Sequence, residues 1–119
     1  MLVTSSADEV TELLTAYEET ALRWGDLQAN SAAANRLLKE NHRVYKRLRE
    51  TEQGRSGISE LMSHDSEWVR VAAATHSLAW APEPATVILE EIERSDGLIA
   101  VDAKWTLRAH RAGRLDLDW

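Results

Sequence analysis

Cysteine is absent from the chain, which excludes disulfides, thiolate-bound zinc and a cysteine nucleophile, and fits a reducing compartment. Phenylalanine is absent too, so aromatic packing falls to five tryptophans and two tyrosines. The only prolines, Pro82 and Pro84, sit together, as expected of long helices interrupted at few places. No stretch approaches the ~18 apolar residues of a membrane span, and MLVTSSADEV contains no basic segment followed by an apolar run. The chain therefore reads as a cytoplasmic protein with no membrane partner, folded by packing alone. With a net charge of −6 it also lacks the basic surface of a general phosphate-backbone binder, and both halves hold more acid than base. An acidic chain meets a basic partner more readily. Its 119 residues suffice for one domain with a modest core.

Helical periodicity is what the chain does have. Ser6-Ala7-Asp8-Glu9 spells a capping box, after which Val10, Leu13, Leu14, Tyr17, Ala21 and Trp24 follow at helical spacing up to Gly25. Asn30 or Ser31 caps a second helix to about Glu52, whose apolar arc is Ala33, Ala34, Leu37, Leu38, Asn41, Val44, Tyr45 and Leu48. These two helices are expected to pair antiparallel. Gln53–Gly57 reads as a glycine-containing loop and Ile58 to about His64 as a short helix. The helix from Glu67 to about Ala81 is apolar almost all round, which places it centrally. Pro82-Glu83-Pro84 stops it and starts another, with Ala85, Ile88, Leu89 and Ile92 inward and Glu90, Glu91 and Glu93 outward. The last helix, from Leu98 to about Ala112, carries two apolar stripes: Leu98, Val101, Trp105 and Ala109, and Ile99, Ala103 and Leu107. Gly113 is its stop, before the tail RLDLDW. No segment alternates apolar and polar residues as a strand does, so the fold is expected to be all-α, with about six helices in stacked antiparallel hairpins.

Residues 57–113 contain one hairpin twice: ISELMSHDSEWVRVAAATHSL, then PATVILEEIERSDGLIAVDAKWTL, with corresponding leucines and aspartates about 30 residues apart. DSEWVRVAAATHSL resembles the second helix of a HEAT-type repeat, in which an Asp-containing turn precedes Val-Arg and an alanine-rich run. From TAYEETALRWG to DAKWTLRAHRAGRL, the chain is similar to a family of small bacterial HEAT-like proteins. That resemblance implies an α-α superhelical domain acting through contacts, with no catalytic residues to carry over. It organises the chain as one domain, an N-terminal hairpin over residues 6–52 and two HEAT-like hairpins over 58–113. The second copy lacks the Val-Arg pair and has Asp102 and Lys104 within its helix. A bundle-like curl therefore stands beside a regular solenoid.

The ordinary reading of each candidate residue is structural. Arg70 follows Asp65 by five residues, and the resemblance to HEAT-type repeats implies that this pairing ties turn to helix or neighbour to neighbour. Arg36, Lys39, Arg43, Lys46 and Arg47 share one arc of the second helix, but Glu40 and Glu50 border it and no aromatics interleave it, as on a solvated face. His42, His64, His76 and His110 lie on different helices or their ends, with no i,i+3 or i,i+4 pair and no HExxH, so no metal site is expected. His76 shares a face with Val69, Ala72, Ala73 and Trp80, as a core histidine does. His64, Asp65 and Ser66 are adjacent and cannot form a triad with one another, GRSGIS lacks the GxSxG spacing, and no glycine-rich phosphate loop occurs. Trp24 and Trp105 sit on apolar stripes as core residues; Trp68, Trp80 and Trp119 are the ones whose exposure would matter, since exposed tryptophan beside arginine is hot-spot chemistry.

These features point to a non-enzymatic protein-interaction module without cofactors, an adaptor or immunity-type protein neutralising a basic partner. Its candidate contacts are Trp68, Arg70, Trp80, Arg108, Glu90 and Glu91. The alternative is nucleic-acid binding through Arg36, Lys39, Arg43 and Lys46. A small hydrolase built on His76 or His64 with a carboxylate ranks third. The sequence leaves self-association open, because unpaired repeat ends expose apolar surface.

Overall fold

The computed structural model describes residues 6–119, with side chains from Asp8 onward, and every regular element among them is helical. The order is α1 (Ser6–Asp26), α2 (Ser31–Leu48), α3 (Glu52–Glu60) running into one 3-10 turn (Leu61–Ser63), α4 (Glu67–Ser77), α5 (Pro82–Glu93) and α6 (Leu98–Arg111). The all-α expectation holds. Among the described residues, no helix is long and apolar enough to cross a membrane. The capping-box expectation rests on the Ser6 side chain, which lies outside the described side chains; the Glu9 carboxylate accepts from Arg47 of α2. The chain divides after Ile58 into two units, each packed within itself.

In the first unit α1 packs on α2. Asn30 caps α2, its side chain accepting the Ala33 N–H at 3.1 Å, and the buried face is Ala33, Ala34, Leu37, Asn41, His42, Tyr45 and Leu48. Leu38, expected on that face, lies at its edge and is exposed. Asn41 is the polar pin of the α1–α2 joint: its amide donates to the Tyr17 carbonyl and to Thr20 Oγ1, both at 3.0 Å. Burial and the neighbouring Tyr45 push the Tyr17 phenol well above its usual pKa, so it stays neutral.

The segment Gln53–Gly57 is helix and not the expected loop, and α2 ends at Leu48, four residues before the expected end. Thr51 starts α3, its hydroxyl accepting the Gly54 N–H at 3.0 Å. Two glycines in a nine-residue helix oppose helix formation by about 1 kcal/mol each. Here close packing against backbone requires the first, and the second lies against a leucine side chain. A Cβ on Gly54 would overlap the Leu48 carbonyl, and one on Gly57 would overlap the Leu14 side chain.

In the second unit α4 packs against α5, α6 and the 3-10 turn, and α5 packs on α6. Val69, Val71, Ala72, Ala73, Ala74, His76 and Ser77 of α4 are all buried, as its all-round apolar character predicts. The helix is four residues shorter than expected, ending at Ser77. Against it lie Ala85, Leu89 and Ile92 of α5 and Ile99, Ala103 and Leu107 of α6. Gly113 ends α6 as expected: with φ +70° it lets its own N–H reach the His110 carbonyl and the Arg114 N–H reach that of Ala109 at 2.8 Å, a Schellman cap.

Candidate protein-interaction surface

α6 is the helix on which two apolar stripes compete for one core. The stripe Ile99, Ala103 and Leu107 is buried. The other is not: Leu98, Val101 and Trp105 are 66%, 49% and 59% exposed. This corrects the placement of Trp105 in the core; Trp24 is buried as expected. Steps of three and four residues align the three side chains into one outward ridge. Arg108, the next residue on it, lays its guanidinium over the Trp105 ring at 5.2 Å from the centroid. The ridge holds on the order of 300 Å² of apolar surface in water, the size of the largest patch on an ordinary monomer and one that is often functional. At about 25 cal/mol per Å², covering it would release roughly 7 kcal/mol before the cost of association.

Charge around the ridge is one-sided. Lys104 and Arg108 are exposed along one edge, and on the other stands Asp102, half-buried, its carboxyl pushed above the ordinary aspartate range by burial. The neighbouring α5 is acidic throughout, with Glu83, Glu90, Glu91 and Glu93. Glu90 is held by Arg111 of α6 at 2.8 Å, whereas Glu91 is exposed. Val87, 52% exposed, lies one turn from both Glu83 and Glu91.

Arg70 and Trp80 make contacts within the fold. Arg70 donates to the carbonyls of His64 and Asp65 at 2.6 and 2.9 Å and pairs loosely with Glu67, tying the turn before α4 to the helix. The expected tie to the Asp65 side chain is made to the Asp65 backbone instead. Trp80 is half-buried, and its indole N–H donates to Ser59 Oγ at 2.9 Å, with Ser59 bonded in turn to Ser77. Trp68 is half-buried at the start of α4, Trp119 is exposed, and His76 is buried. His64 accepts the Ser66 N–H on Nδ1 at 2.9 Å within the same turn. The structure therefore brings none of Trp68, Arg70 or Trp80 into an exposed cluster. It gathers Arg108 with Trp105, a pair that periodicity alone assigned to opposite environments.

On α2, Arg36, Lys39 and Arg43 are exposed on one line, and none is ion-paired with another described residue. Lys46 is half-buried and Arg47 pairs with Glu9. A depression of about 150 Å³ opens beside this pair, lined by Val10, Leu13, Leu48, Glu50 and Thr51. It has room for about five waters, below the ~300 Å³ of a ligand pocket. Among the described residues, no group of three or more His, Asp or Glu is placed to hold a metal ion. In comparisons with protein-family models, curated proteins and solved structures, the chain matches none.

Proposed function

We propose that the chain is a cytoplasmic, non-enzymatic protein-binding module of HEAT-like hairpins, and that it binds through the outer face of α6. The observation that carries this reading is the ridge Leu98, Val101 and Trp105, exposed on a regular helix with Arg108 stacked on the indole. Tryptophan and arginine, here Trp105 under Arg108, are the usual anchors of an interface. The acidic row of α5 adds the feature that suits an adaptor or immunity-type protein meeting a basic surface, because charge of one sign speeds encounter with its opposite. The test is capture of binding proteins by the wild-type chain and by Val101→Ser/Trp105→Ser, with circular dichroism confirming that both are folded. Captured proteins should be lost from the variant; capture unchanged in amount and identity would remove α6 from the reading.

A second reading has its own observation, the line of exposed cations Arg36, Lys39 and Arg43 on α2. A nucleic-acid contact there would weaken steeply with salt, roughly in proportion to the phosphates neutralised. Retention on heparin at low salt, lost in Arg36→Gln/Arg43→Gln, would favour it over the α6 face.

A further inference from the structure

α5 and α6 are neighbours of opposite charge. In α5 the ionisable residues are Glu83, Glu90, Glu91 and Glu93; in α6 Lys104, Arg108 and Arg111 outnumber Asp102. Each helix also leaves apolar side chains in water, Val87 between Glu83 and Glu91 on α5, and Leu98, Val101 and Trp105 beside Lys104 and Arg108 on α6. The ion pair between Arg111 and Glu90 joins the two helices with both side chains about half exposed (54% and 42%), so the seam between them opens to solvent. One hairpin therefore presents an acidic row with an apolar centre next to an apolar ridge with a basic edge.

We propose that the occupant of the α6 ridge is a second copy of this chain, which rests on the reading of that ridge as a protein-binding surface. The ridge of one copy packs on the α5 row of the other, and a two-fold axis repeats the contact. Lys104 and Arg108 then face the second copy's Glu83 and Glu91, while Trp105 and Val101 cover the second copy's Val87. A foreign acidic helix would satisfy α6 alone and leave Val87 and the unpaired glutamates of α5 in water. A second copy satisfies both rows at once, and the two-fold relation closes the assembly at a dimer. The contact is small, so dissociation in the range of about 1–100 µM is expected, weakening with salt as its exposed charge pairs are screened.

Sedimentation velocity from about 2 to 500 µM tests this, with charge-swapped chains as the decisive arm. The wild-type chain should pass from monomer to dimer across the range. Lys104→Glu/Arg108→Glu and Glu83→Lys/Glu91→Lys should each be monomeric, with at least a tenfold loss of self-affinity, because each sets like charges opposite one another. Mixed one to one, the two variants should recover a heterodimer within about threefold of wild type, since both contacts of the mixed pair are again complementary. Circular dichroism confirms that each variant is folded, and recovery on mixing shows it independently. A wild-type chain that remains monomeric throughout, or a dimer that neither variant weakens, overturns the proposal. The α6 reading fails separately, when Val101→Ser/Trp105→Ser binds proteins as the wild type does.

Discussion

α2 and α6 are both amphipathic helices packed in hairpins, yet they meet water differently. α2 turns its one apolar arc inward and leaves Arg36, Lys39 and Arg43 outside. α6 has two apolar stripes and buries one of them. A helix in a hairpin has one face to bury, so a second stripe of large apolar residues either belongs to a central helix or waits for a partner. α4, enclosed by α5, α6 and the 3-10 turn, is the first case; α6 is the second. What separates them is the number of neighbouring helices, a property of the fold and not of the helix.

The largest effect that would sharpen this contrast is within α6 itself. Leu107 is 1% exposed and Trp105 59%. Leu107→Ala should destabilise the fold by about 2–5 kcal/mol in urea denaturation, the cost of lost burial plus a cavity. Trp105→Ser, although it deletes a larger side chain, should stay within about 0.5 kcal/mol. Comparable losses would mean that the ridge is covered within the chain, and the comparison with α2 would collapse.

A smaller effect is expected at Asn41 of α2, which a plain apolar reading of that face absorbs unremarked. It is 2% exposed and fastens α2 to Tyr17 and Thr20 of α1. Asn41→Ala should cost about 1–3 kcal/mol by leaving a buried carbonyl short of a donor. A neutral result would show that water takes the amide's place, and that α2 is held by its apolar contacts alone.

The places where sequence reading succeeded and failed follow from what each signal depends on. The order and all-helical nature of the elements were legible because period and caps are local: Asn30 before α2, Pro82 at the start of α5 and Gly113 after α6 act where they stand. The first part of α3 was illegible, although its end from Ile58 was read as helix, because Gly54 and Gly57 look like loop residues until the Leu48 carbonyl and the Leu14 side chain are seen against them. The α6 surface was half legible. Both stripes were visible, and hydrophobicity alone does not rank Leu98, Val101 and Trp105 against Ile99, Ala103 and Leu107; the ranking is set by which face meets the neighbouring helices. Arg70 was legible as a tie, but a backbone carbonyl acceptor leaves no mark on composition.

The subtlest difference between the two helices is electrostatic, and it gives the smallest predicted effect. The acidic residue of α6, Asp102, is half-buried, and burial raises its pKa above the usual 3.8. The folded chain therefore holds the Asp102 proton more tightly than the unfolded chain does, and between the two pKa values it binds more protons. Stability contributed at this site is fullest below the unfolded value, falls as pH rises through that window and stays lower at neutral pH. Asp102→Asn should raise the melting temperature at pH 7, by less than about 1 kcal/mol in equivalent stability, and should flatten the acid-side slope. Glu40→Gln, on the exposed face of α2, removes the same charge and is the control. An equal gain from both variants would trace the effect to the net charge of −6; a gain confined to Asp102→Asn would trace it to desolvation on the edge of the α6 ridge.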